Sequence, residues 1–313
     1  MGTVDTRCTC HQGRCTLPTA GRRRTGVLSV GSDWPSAPEP LPGAVIDSHT
    51  HLDVHDRSMH GDVAHDPKEL LRWAAEVGVL KVVQIGCDVE SAEWSVAFAR
   101  EHSSVAVGVA IHPNDAARIG VRQGRSALEA AWSRIAELAS DDVVKAVGET
   151  GLDYFRTPES EGQAFQHESF RWHIELAKEL DKSLVIHDRD SHDDVISVLL
   201  EQGAPERVVF HCFSGDAQMA RVCAEHGWFM SFAGVITFGS AEGLREALRA
   251  VPDGLLLVET DAPYLTPKPN RGRVNATYLM PWTVRRMAEE RNADVAQLCD
   301  QLVANTYRAF GHW

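Results

Sequence analysis

The run Ala44-Val45-Ile46-Asp47-Ser48-His49-Thr50-His51 opens the periodic part of the chain. A short apolar stretch passes directly into two histidines spaced two apart, and the alternation of a strand puts both imidazoles on one face. Further short, mostly β-branched runs occupy residues 80–85, 105–111, 143–148, 183–186, 207–210, 228–233 and 255–258. Between them lie stretches of helical spacing, among them 67–77, 126–139, 163–180, 195–200 and 244–250, several opened by Asp, Ser or Pro in a capping position. Eight strands alternating with helices predict an α/β fold, a single (β/α)8 TIM barrel over residues 44–313. A doubly wound open sheet is the alternative, but no Gly-rich phosphate fingerprint follows the first run.

Composition excludes several other classes. Of 313 residues, 43% are apolar and 24% charged, and Gly and Pro number 24 and 14, so the chain is neither disordered throughout nor collagen-like. Residues 1–43 differ: they show no hydrophobic period, contain five prolines, and read as a disordered N-terminal tail. Cys8, Cys10, His11 and Cys15 in that tail are metal-ligand types, at a spacing tighter than paired-ligand zinc knuckles use. Cys87, Cys212, Cys223 and Cys299 are scattered singly, the pattern of reduced thiols, so a cytoplasmic location is expected. No apolar run is long enough to span a membrane, and no membrane partner is expected. The net charge of −13 excludes a basic clamp that grips long duplexes by phosphate neutralisation alone.

Ligand-type residues recur where strands meet loops. After His49 and His51 come Glu149 in Gly148-Glu149-Thr150-Gly151, His187 after Leu184-Val185-Ile186, His211 after Val208-Val209-Phe210, and Asp261 after Leu257-Val258-Glu259-Thr260. Any one of them serves equally well as a polar strand end. Six together at the C-terminal mouth of one barrel, where such folds place their active sites, are the donor count for two divalent ions sharing a carboxylate. Glu259, two residues before Asp261, shares its face and is a candidate partner for a ligand imidazole. Lys268, Arg271 and Arg273 cluster after the last strand, where barrels often bind phosphate, and are the expected substrate clamp. Cys212 beside His211 is expected to turn away from the metals by alternation, which argues against thiol catalysis. Trp73, Trp94, Trp132, Trp172 and Trp228 read as core and packing residues.

The runs Asp47-Ser48-His49-Thr50-His51-Leu52-Asp53, Gly148-Glu149-Thr150-Gly151-Leu152-Asp153-Tyr154, Ile186-His187-Asp188-Arg189-Asp190, His211-Cys212-Phe213-Ser214-Gly215 and Glu259-Thr260-Asp261-Ala262-Pro263-Tyr264 resemble, in order and spacing, the TatD family of metal-dependent deoxyribonucleases. Gly234-Val235-Ile236-Thr237-Phe238 and the loop 269–275 extend the resemblance over residues 44–310. It implies a barrel of the metal-dependent hydrolase superfamily, with His49, His51, Glu149, His187, His211 and Asp261 as ligands and DNA as substrate. It also implies a substrate contact at His112, although Asn114 stands where the family commonly has a second histidine. Asp153 and Arg189 follow ligands in matched motifs and are candidates to orient a ligand or meet phosphate.

The expected chemistry is hydrolysis of phosphodiester bonds by a metal-activated water, with two divalent ions (Mg, Mn or Zn), Glu149 bridging and Asp261 as proton acceptor. Without an extended basic groove, strand ends or single strands are the expected DNA substrate, cut exonucleolytically. The alternative keeps the metals and changes the bond, as in an amidohydrolase or esterase acting on a small molecule.

Overall fold

Eight parallel strands follow one another around a single sheet in chain order in the computed structural model, which describes residues 34–54 and 66–313. They are β1 (Val45–Thr50), β2 (Val79–Gly86), β3 (Val105–Val109), β4 (Val144–Asp153), β5 (Ser183–Arg189), β6 (Val208–Phe210), β7 (Phe229–Phe232) and β8 (Leu256–Val258). Around them, in chain order, lie α1 (Pro67–Glu76), α2 (Val89–Glu101), α3 (Pro113–Gln123), α4 (Arg125–Ala139), α5 (Ser160–Glu179), α6 (His192–Gln202), α7 (Ala217–Glu225), α8 (Glu242–Ala250), α9 (Met280–Arg291) and α10 (Val295–Phe310). The architecture is the expected TIM barrel. None of the helices among the described residues is long and apolar enough to cross a membrane.

Two cores follow from strand alternation. Val82, Val107, Val147, Leu184, Ile186, Phe210 and Val258 face outward and pack under the helices, where Trp73, Trp132 and Trp228 are also buried. Trp94 and Trp172 pack partly buried against the same layer. Val83, Ile85, Ala146, Val185, Val209, Phe229 and Leu257 have the opposite parity and fill the barrel interior with Ala309 and Phe310 of α10. The parity that turns Val185 and Val209 inward also turns His187 and His211 inward, one layer higher.

The barrel closes at the seam between β1 and the segment after β8. Ser48 Oγ donates to the Val258 carbonyl at 2.9 Å, Asp261 N–H to the His49 carbonyl at 3.0 Å, and His51 N–H to the Ala262 carbonyl at 2.8 Å. Closure therefore sets His49, His51 and Asp261 side by side.

The structure moves the tail boundary. Residues 34–43, expected in the tail, pack on the barrel: Trp34 and Leu41 are buried, Leu41 N–H donates to the Val77 carbonyl at 3.0 Å, and the Tyr278 hydroxyl donates to the Pro35 carbonyl at 2.7 Å. A proline-rich segment has no period of its own, but two apolar anchors and its carbonyls suffice to hold it. The Cys8, Cys10, His11 and Cys15 group lies outside the described residues.

At the end of the barrel opposite the ligand-bearing loops, Lys182 Nζ donates to the carbonyls of Ala139, of Asp141 at 2.9 Å and of Val144 at 2.7 Å. Lys182→Met leaves these carbonyls without their charged donor. The variant is expected to lose about 1–3 kcal/mol of stability in denaturant unfolding while retaining metal uptake, because nothing at the mouth changes.

Candidate metal centre

Glu149 is the middle of the site. It lies inside β4, where the register against β5 slips between Val147 and Thr150, so the strand continues past it rather than ending at it. Two residues on, Gly151 has φ +130°, and a Cβ there would collide with the His187 carbonyl, so glycine keeps β4 and β5 this close.

The two oxygens of Glu149 face different groups. Oε1 lies 3.8 Å from His49 Nε2 and 3.7 Å from His51 Nε2. Asp261 Oδ1 completes that side, 3.9 Å from His49 Nε2 and 3.4 Å from His51 Nε2, with the two imidazole nitrogens 3.3 Å apart. Oε2 lies 3.3 Å from His187 Nδ1 and 2.7 Å from His211 Nε2, which are themselves 3.4 Å apart. All six residues expected as ligands thus converge, divided between the carboxylate's two oxygens.

The donor chemistry fits divalent cations. Bonds of about 2.0–2.2 Å in a tetrahedron give ligand–ligand edges of about 3.3–3.6 Å, close to the separations in the His49, His51, Glu149 and Asp261 group. The outward nitrogens of three imidazoles meet oxygen: His51 Nδ1–H donates to the Ile85 carbonyl at 3.3 Å, His187 Nε2 lies 3.2 Å from Asp153 Oδ2, and His211 Nδ1 lies 3.4 Å from Glu259 Oε1. The last contact is close enough for charge pairing but misaligned for a hydrogen bond, and the Nδ1 atoms of His49 and His211 have no hydrogen-bond partner. These outer contacts leave lone pairs pointing inward at two carboxylates, an arrangement that only a proton or a cation satisfies.

Charge balance reflects this. Burial pushes the Glu149 carboxyl up, but the imidazoles of His211, His112 and His187 overcome it and hold the group well below the usual range. Burial lowers His51, yet the Asp261 hydrogen bond and the Glu149 charge carry it up to about 9. Burial likewise opposes the charge on His211, and Glu149 and Glu259 raise it well above the ordinary value. His49 is driven well below its usual value by burial and by the His211 charge.

His112 stands at the edge of this group, its ring centroid 4.5 Å from that of His187. Its Nδ1 accepts the Asn114 N–H at 3.1 Å, capping α3, and burial lowers it to about 3. The imidazole is therefore neutral, with its single proton on Nε2, a donor rather than a ligand. Asn114 lines the cleft with its amide engaged: its Nδ2 donates to Asp153 Oδ2 at 2.9 Å, and its Oδ1 accepts from Thr157 Oγ1 at 3.1 Å. Asp153 also accepts the Arg156 N–H at 2.8 Å, and these partners hold its carboxyl below the usual range against burial. Thr157, Asn114 and Asp153 thus form one chain that orients His187.

A cleft of about 1360 Å3 opens over the centre. Lys268, Arg271 and Arg273, the expected clamp, are not among the residues lining it. Their loop instead folds onto the segment after β7: Lys268 N–H donates to Thr237 Oγ1 at 2.9 Å and the Arg271 guanidinium lies 4.4 Å from the centre of the Phe238 ring. The arginines that do line the cleft are Arg118, Arg122, Arg156 and Arg189, from the β3, β4 and β5 side.

Two thiols also differ from expectation. Cys212 lines the cleft, because alternation ends with β6 at Phe210 and Cys212 adopts φ +41°. Burial and the neighbouring Asp261, Glu259 and Glu149 charges keep its thiol protonated, which removes it as a nucleophile. Cys87 was not singled out in sequence; its Sγ lies 3.3 Å from Glu149 Oε1. Its position two residues after the inward-facing Ile85 was the available signal.

Metal uptake must displace the protons that His51 and His211 hold near neutrality. Affinity is therefore expected to rise with pH through about 9 and to level off above it, with proton release shrinking over the same range. Calorimetric titration of metal-stripped protein in buffers of different ionisation enthalpy checks this, and a pH-independent affinity contradicts it.

The profile of the family described as TatD related DNase matches residues 46–311. The chain is 41% identical over 270 residues to the "Uncharacterized metal-dependent hydrolase TatD" of Mycobacterium tuberculosis, covering 85% of this chain and 98% of that one. It is 34% identical over 271 residues to the "Uncharacterized metal-dependent hydrolase YcfH" of Escherichia coli K12, covering 85% and 95%. Among solved structures it resembles YJJV, a TatD homolog from Escherichia coli K12, with a TM-score of 0.75, 26% identity, and coverage of 85% and 97%. The organophosphorus hydrolase of Deinococcus radiodurans shares the fold alone, at a TM-score of 0.57 and 14% identity. With the donor groups divided across Glu149 and the family profile spanning nearly the whole barrel, the chain belongs to the TatD family of metal-dependent hydrolases.

Proposed function

We propose that this hydrolase cuts phosphodiester bonds of DNA, removing nucleotides from strand ends or single strands, and that it works in the cytoplasm with two divalent ions, Mg, Mn or Zn, in the centre. The observation that carries this reading is a bridging carboxylate on the floor of a cleft whose walls bear four arginines, in a chain of net charge −13. The same lining holds Glu149, Asp153, Glu159, Glu161, Asp188 and Asp261, so a polyanion is favoured there only once bound cations add their charge to that of the arginines. The four described cysteines are free thiols, which supports the reducing compartment.

His49, His51, Asp261, His187, His211 and Glu149 would hold the divalent ions, which when bound would supply Lewis acidity toward a phosphoryl oxygen and make a water more acidic. Asp261 Oδ1, at the open side of the centre, accepts the proton of the attacking water. His112 Nε2–H donates to a phosphoryl oxygen or to the leaving oxygen. Arg156 and Arg189, which have no ion-pair partner among the described residues, bind flanking phosphates through their forked donors. Glu259 and Asp153 keep His211 and His187 in orientation.

Metal-stripped protein is incubated with end-labelled single-stranded and duplex oligonucleotides while Mg, Mn or Zn is restored singly. Ladder-like shortening that requires added metal is the expected result. Glu149→Ala is expected to lose at least about 100-fold of that activity, since even the outer partners of metal ligands cost this much. Protein that takes up metal yet cleaves no oligonucleotide rejects the nuclease reading and leaves ester and amide substrates to be tried. A second pair of variants locates the clamp: Arg156→Ala with Arg189→Ala is expected to raise KM about tenfold or more, while Arg271→Ala with Arg273→Ala leaves it within about twofold.

A further inference from the structure

The Phe155 ring is 57% exposed beside the cleft, an aromatic side chain left outside the core. It follows the end of β4 by two residues, and Asp153, the last residue of β4, holds the candidate ligand His187. The Arg189 guanidinium lies over this ring, 4.0 Å from its centre. Arg189 is the last residue of β5, two beyond His187, and so shares the face of that ligand about 7 Å further along the strand. Arg189, over the ring, and Arg156, next to Phe155 in sequence, both line the cleft.

An exposed ring forgoes burial, and the pair needs a reason to remain at the mouth. A ring with a cation stacked on it, flanked by a second arginine, is the combination with which proteins hold single-stranded nucleic acid: phosphates meet the guanidinium groups and an unstacked base lies on the π-face. A base within a duplex is already paired and stacked, so this face discriminates for single strands and frayed ends. We propose that Phe155 and Arg189 form a nucleobase-stacking subsite that takes the base next to the phosphate being cut. The proposal rests on the phosphodiesterase reading of the same cleft and adds to it the contact that selects single-stranded substrate.

The test crosses a protein change with a substrate change. Single strands carrying one abasic residue at successive positions are cleaved by wild type, Phe155→Ala and Phe155→Trp under the same added metal. In wild type, an abasic residue at one position slows cleavage of the adjoining linkage about tenfold, the scale of one lost stacking contact. Phe155→Ala cleaves the intact strand slower by a similar factor, chiefly through KM, and is indifferent to the abasic residue at that position. Phe155→Trp restores both rate and base dependence. A wild-type profile that is flat along the strand, or a Phe155→Ala loss equal on intact and abasic strands, overturns the subsite while leaving the nuclease reading intact. Failure of wild type to cleave any strand overturns that reading first, and the subsite with it.

Discussion

The carboxylate of Glu149 is buried at the mouth of the barrel, and burial alone drives a carboxyl toward its neutral form. Its ionised state survives because His211 and His187 meet one of its oxygens and His112 stands beside them, while His49 and His51 face the other oxygen. The imidazoles in turn keep their inward orientation because Ile85, Asp153 and Glu259 occupy or face their outer nitrogens. Each layer is costly to bury without the next. A divalent cation relieves the whole assembly, since it replaces protons shared between acids and bases by a charge that both prefer.

Barrel closure brings these groups together. Asp261 is more than two hundred residues from His49 and His51 in the chain, yet backbone hydrogen bonds across the closing seam place them in contact. The interior below is packed with Val, Ile, Leu and Phe, so the ligand layer rests on a solid floor rather than over a channel. The bonds of Lys182 lie at the opposite end, away from the buried charge of the mouth.

Much of the centre was legible because strand parity is a local property. His187 and His211 were found as ligand-type residues at strand ends and Glu259 by sharing the face of Asp261, and each follows an inward residue, Val185, Val209 or Leu257, by two positions. The same rule applied to Cys87 places it after the inward Ile85. Where a strand ends, the rule ends with it: Cys212 lies two residues past β6 and faces the cleft. The loop 268–273 was read by charge, which states what a segment can bind but not where it lies; its arginines fold toward Phe238, while arginines from three separate elements line the cleft. Residues 34–43 escaped in the opposite way, since a segment without a period can still be pinned by two side chains.

What the sequence by itself determined is the repeating strand–helix order and which ligand-type residues stand where strands meet loops. These depend on neighbours one to four positions away, and the chain states them directly. Glu149 reaches the mouth through the register slip between Val147 and Thr150. Only the tertiary structure decided that Asn114 supports Asp153, that Glu149 divides its two oxygens between two donor groups, and that Arg189 lies on Phe155. Those contacts join different strands and loops, and their geometry is set by closing the barrel, a constraint that no local stretch of sequence contains.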